Sequence, residues 1–134
     1  MKGSRRLLIV LGLAALLVPL VGVGVAKADP APTKVQISQN AQFVNQGQID
    51  LQISLSCTPG YGYFVQASVV QPQGYSQVFG NGYTSGLCTG QQQKLAIPVF
   101  SFSYPGWQLG DAVASVTACS LGCADDTKAI HISL

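Results

Sequence analysis

The chain is 134 residues long, apolar over nearly half its length and poor in charge: seven Lys and Arg stand against five Asp, with one His and a formal charge of +2. So few acid–base groups and so little basic surface leave nucleic-acid binding, adhesion to anionic membranes and general acid–base catalysis poorly provided for. What they leave open is a small fold held by apolar burial and, through four cysteines, by cross-links.

The first residues read as an export leader. Met1 to Arg6 is cationic, Leu7 to Val25 is an uncharged apolar run, and Ala26-Lys27-Ala28 is a small-x-small cleavage site before Asp29-Pro30. Cleavage after Ala28 is expected, which makes residues 1–28 a signal peptide and residues 29–134 one domain. The alternative is an uncleaved leader that retains the chain at the cell envelope, since the apolar run is about long enough to cross a bilayer. Pro19 and the alanines of the cleavage site argue for removal. Lys34, Lys94 and Lys128 are then the only cations left against the five Asp, so the charge falls to −2 and no Arg or Glu remains. The expectation is a secreted, extracellular monomer with neither nucleic acid nor membrane as a partner.

After a Pro-containing lead-in at 29–33, Val35 and Ile37 mark the inward row of a first strand over 34–38, and the polar stretch 39–48 turns at Asn45-Gln46-Gly47. The cleanest alternation in the chain follows. Ile49, Leu51, Ile53, Leu55 and Cys57 alternate with Asp50, Gln52, Ser54 and Ser56, which predicts a strand with one dry face. Burying each of its aliphatic residues stabilises by about 1.5–3 kcal/mol, and a one-residue slip would expose all of them. Thr58 to Gly62 is a turn cluster; Tyr63, Val65, Ala67 and Val69 form the next inward row, and Gln71 to Gly74 ends it. Ser76 to Phe79 reads as a short edge strand, Asn81-Gly82 as a tight turn, and 80–93 as a loop around Cys88. Lys94 to Phe102 is again a strand, and Pro98 within it requires an edge or a bulge. After the turn Tyr104-Pro105-Gly106, Trp107 and Leu109 lead into Asp111 to Cys119, where Ala112, Ala114, Val116 and Ala118 present a small inward face. Cys119 to Cys123 reads as a hairpin tip, and Ile130, Ile132 and Leu134 as the inward row of a last strand.

About seven short strands with Gly/Pro turns and no helical periodicity predict an all-β domain, an antiparallel Ig-like β-sandwich, with a small closed barrel as the alternative. Cys57, Cys88, Cys119 and Cys123 allow three pairings; Cys57–Cys88 with Cys119–Cys123 is expected, and Cys57–Cys119, joining two core strands, is the competitor. Zinc is excluded by spacing, as no Cys-x-x-Cys occurs and the sole His131 lies in another segment. Neither a metal nor a cofactor is expected.

Catalytic residues are not assigned. A Ser-His-Asp triad would have to use His131, which the alternation places outward on the last strand. Asp125-Asp126 suits a turn, or at best a weak calcium-ligand pair. The aromatic residues Tyr61, Tyr63, Phe64, Tyr75, Phe79, Tyr83, Tyr104 and Trp107 stand among Gly, Gln, Ser and Asn, a mixture that makes adaptable contact surfaces. Tyr61, Tyr83 and Trp107 are the candidate contact residues, against the alternative that such aromatics cap the core.

The row ending in Cys57, Gly86-Leu87-Cys88-Thr89-Gly90, the alanine-alternating strand after Gly110 and the terminal apolar strand together resemble the small exported Ig-like sandwich proteins of actinobacteria, over the whole mature chain. Ala31-Pro32-Thr33, the closely spaced Cys119 and Cys123 and the closing strand are also similar to neocarzinostatin-type apoproteins, seven-stranded sandwiches that hold an enediyne chromophore in a cleft. The wide spacing of Cys57 and Cys88 and the intervening loops depart from that second pattern. The function expected is a secreted, non-enzymatic binding module for a protein, glycan or small apolar ligand; the alternatives are a small-molecule carrier of the apoprotein kind and a small hydrolase.

Overall fold

A computed structural model describes residues 32–134; the leader and its cleavage site lie outside them. Seven strands and no helix make up the described residues: β1 (Lys34–Asn45), β2 (Gln48–Ser56), β3 (Gly62–Gln73), β4 (Ser76–Leu87), β5 (Gln93–Ser101), β6 (Gly110–Cys119) and β7 (Cys123–Ser133). They close into a barrel in the order β1-β2-β5-β4-β3-β6-β7. The expected antiparallel sandwich is therefore corrected to the closed barrel given as its alternative, and to a mixed one, since β1 and β7 run parallel. Two seams make the closure, and both are thin. β4 meets β5 through two residue pairs, Gly80↔Ser101 and Asn81↔Phe100, and β1 meets β7 through three, Asn40↔His131 to Gln42↔Ser133.

Alternation fills the interior. Ile49, Leu51, Ile53, Leu55 and Cys57 are all buried while the even positions of β2 are half-buried, as the pattern requires. Val65, Ala67 and Val69 from β3, Ile97 and Val99 from β5, the alanine row of β6, and Ile130 and Ile132 from β7 complete the same core. Ala112, Ala114 and Ala118 give β6 a small buried face, and Trp107 is wholly buried and donates its indole N–H to the carbonyl of Val99 at 3.2 Å.

The largest departure from the sequence reading is β4. Asn81-Gly82 is no turn and 80–87 no loop: β4 pairs with β3 without interruption from Gln73↔Ser76 to Gly62↔Leu87, and the chain reverses at Gly74-Tyr75, where Gly74 takes a φ of +64°. β3 accordingly runs on through Pro72, beyond its last pairing with β6 at Val70↔Val113. The glycines of β4 are there for proximity. A β-carbon on Gly82 would fall on the carbonyl oxygen of Pro98, and one on Gly80 on the carbonyl of Phe100 and the ring of Trp107, so β4 lies directly against β5 where only glycine fits. Pro98 sits on the β5 edge that faces this seam, where its missing N–H breaks no bond to β2, in line with the edge placement its presence required.

β1 and β7 are also longer than the alternation suggested. Residues 38–40 of β1 bulge between Ile37↔Ile53 and Ala41↔Leu51, and from there β1 turns toward β7. Asp125 and Asp126 lie inside β7, not in a turn. Asp126 Oδ2 accepts the backbone N–H of Ile37 at 2.9 Å, and Lys128 Nζ donates to the Ile37 carbonyl, so two side chains stand in for ladder bonds that the main chains do not make. Both expected disulfides are present, Cys57–Cys88 and Cys119–Cys123, and the competitor Cys57–Cys119 is not formed.

Candidate functional site

The outward face of β4-β3-β6-β7 presents its side chains in transverse rows, set by the registers of the three ladders. One row runs Tyr83, Gln66, Thr117, Asp125; the next Asn81, Ser68, Ser115, Thr127; a third Phe79, Val70, Val113, Ala129. Phe64 precedes the first of these, between Ser85 and Cys119. Its ring stacks on that of Tyr83 at 5.8 Å between centroids and 23° between planes, although Phe64 is 48% and Tyr83 70% exposed. An aromatic pair held together at the surface offers a rigid apolar patch, and the neighbouring Gln66, Thr117 and Ser68 surround it with amide and hydroxyl groups. β3 and β4 contain no charged residue, so this half of the face is electrically neutral.

Phe64 is legible in the sequence, because it stands out of phase with the inward row Tyr63, Val65, Ala67, Val69; the turn signal of Asn81-Gly82 gives Tyr83 no phase. Tyr61 is half-exposed in the turn before β3, where its carbonyl accepts the N–H of Cys88 at 2.8 Å, and it shares no ring contact with the pair. Trp107 does not belong to this surface: with no exposed area it is a core residue, and the assignment of it as a contact residue is corrected. The backbone N–H of Trp107 is held by the Gln46 carbonyl at 2.7 Å, and the segment around it by the buried Gln71, which donates to the Gln108 carbonyl at 2.8 Å and accepts from the Gln108 N–H at 3.0 Å.

At the β6–β7 end of the face lies a groove of about 710 Å³, lined among others by Asn40, Pro72, Asp111, Val113 and His131. His131 Nδ1 and Asp111 Oδ1 are 3.0 Å apart, with 57% and 93% of their side chains exposed. The two members of a triad thus meet, but as a surface pair: no serine, threonine or cysteine lines the groove, and an aspartate that orients a catalytic imidazole is normally buried. No group of three or more His, Cys, Asp or Glu among the described residues could hold a metal ion, and Asp126, committed to Ile37, is parted from Asp125 across the strand.

Fold and face together define a small, doubly disulfide-bonded, all-β domain with a neutral aromatic surface. No family model matches the chain, and no curated protein does. Among solved structures, murine CRIg aligns with 9% identity and a TM-score of 0.39, over 76% of this chain and 97% of that one.

Proposed function

We propose that the chain is an exported, non-enzymatic binding module of Ig-like type, and that it holds a glycan against the outward face of β3 and β4. The observation that carries this is the stacked Phe64–Tyr83 pair, exposed on a face without charge. Sugar rings offer apolar C–H faces and a rim of hydroxyls, which suit an aromatic patch bordered by Gln66, Ser68 and Thr117. Export is supported by the leader-like residues 1–28 and by two disulfides in so small a domain. The test is retention on insoluble cell-wall polysaccharides, with bound and free protein measured in parallel for Phe64→Ala and Tyr83→Ala. Wild type is retained, and both variants are released with their melting temperatures nearly intact. Absence of retention on every glycan, or retention indifferent to both changes, overturns the proposal.

The groove beside Asp111 and His131 favours a second reading, a carrier of a small ligand; its volume admits one. Saturable binding lost in Val113→Asp and kept in Tyr83→Ala would establish this reading in place of the first.

A further inference from the structure

The outward face holds a second aromatic platform. Tyr83, Asn81 and Phe79 are successive outward residues of β4, which sets Phe79 about 14 Å from Tyr83 along the strand. Two further rings join it from across the β4–β5 seam. Asn81 faces Phe100, and the Phe102 N–H donates to the Phe79 carbonyl at 2.8 Å; all three phenylalanines are exposed. The row between the platforms, Asn81, Ser68, Ser115 and Thr127, consists of amides and hydroxyls throughout.

The path from one platform to the other is straight and neutral. β3 and β4 pair from Gln73↔Ser76 to Gly62↔Leu87 without a bulge, and no charged residue stands between Leu51 and Gln93 in the sequence. Both facts select among glycans. One ring stacked on Tyr83 and another on Phe79 are too far apart to belong to a single sugar or a disaccharide. An acidic polysaccharide would give up the hydration of its anions and find no cation on β3 or β4 in return. Equatorially linked chains run straight and show apolar C–H faces between hydroxyl edges, whereas axially linked chains coil away from a straight strand.

We infer that the glycan is a neutral, straight, equatorially linked polysaccharide of the cellulose or chitin kind, which lies along β3 and β4 and stacks on Phe64 and Tyr83 at one end and on Phe79 at the other. This rests on the glycan reading above and adds the length, charge and linkage of the chain. Two contacts joined in one ligand make the second contact intramolecular, so affinity rises with chain length once both platforms are reached. Isothermal titration calorimetry of the protein with cello- and chito-oligosaccharides, from disaccharide to hexasaccharide, tests this. In one of the two series the hexasaccharide is expected to bind at least about tenfold more tightly than the disaccharide, with no loss on adding salt. Phe79→Ala is expected to flatten that rise, and Tyr83→Ala to weaken binding at every length. In case Phe79→Ala misfolds, Phe79→Leu keeps an apolar side chain without the ring, and should flatten the rise with the circular dichroism spectrum preserved. Equal affinity at all lengths, a rise undiminished in the folded Phe79 variants, or binding that salt abolishes overturns the inference and leaves the glycan reading standing. Retention on insoluble cell-wall polysaccharide with neither series bound does the same. Failure of both, with no oligosaccharide bound and no polysaccharide retaining the protein, overturns the glycan reading and this inference with it.

Discussion

Gly82→Ala asks whether β4 lies where it is drawn. Gly82 has no left-handed backbone conformation to protect, so replacing it in a strand of ordinary geometry would by itself stabilise, by about 0.4–1 kcal/mol, through the unfolded chain. The structure reverses that sign. The new methyl group falls on the Pro98 carbonyl oxygen, 2.9 Å from its carbon and 3.2 Å from Val99 Cα, all of it backbone. No rotamer change relieves this, and β4 must lift away from β5; overpacking of this kind costs about 1–3 kcal/mol. The net expectation is a loss of about 1–2 kcal/mol, which for a domain of this size lowers the melting temperature by about 4–16 °C. Gly86→Ala is the control, because its methyl group meets a side chain and not backbone: the Tyr63 hydroxyl at 2.6 Å and the edge of its ring, Cζ at 2.8 Å. It should cost less than Gly82→Ala, and Tyr63→Phe should recover part of its loss. Urea unfolding followed by far-UV circular dichroism reads all four proteins, with m unchanged if only stability moves. A Gly82→Ala protein as stable as wild type, or more stable, would refute the close approach of β4 to β5.

Trp107→Ala removes a fully buried indole and leaves the Val99 carbonyl without its donor, so a loss of about 3–5 kcal/mol is expected in the same unfolding measurement. Leu51→Ala should cost about 2–5 kcal/mol and Gln52→Ala no more than about 0.5; comparable losses would contradict the one-faced strand. Gln71→Ala frees the Gln108 N–H and carbonyl together; a loss of about 1–3 kcal/mol should be accompanied by faster amide exchange at Gln108, detectable by NMR.

The parts of the fold that the sequence makes readable are those where one strand's own side chains carry the signal. β2 announces itself through five odd positions in a row, and the phase of Phe64 against Tyr63, Val65 and Ala67 follows from β3 alone. β4 fails this test for a physical reason: after Val78 its inward positions are Gly80 and Gly82, chosen by the backbone of β5 and by Trp107, which stand far away in sequence. An Asn-Gly pair carries the same letters in a tight turn and in a strand pressed against another. The same limit applies to Asp126, whose role exists only because Ile37 reaches the seam from the other end of the chain. The stacking of Tyr83 on Phe64 became visible only with the β3–β4 register, so half of the candidate face was hidden with β4.

The bond between Cys119 and Cys123 acts as a datum from which the hairpin counts. It makes the first rung of the β6–β7 ladder covalent, and nine further rungs follow without a shift, down to Gly110↔Ile132. A slip of two residues would keep every apolar side chain inward and is the cheapest error open to such a ladder; with the first rung bonded it is forbidden. Asp111 and His131, near the opposite end, thus face each other because of chemistry done at the tip. Oxidation at one pole of the domain sets the wall of the groove at the other, and the compartment in which the thiols are oxidised becomes, for that groove, a condition of its shape.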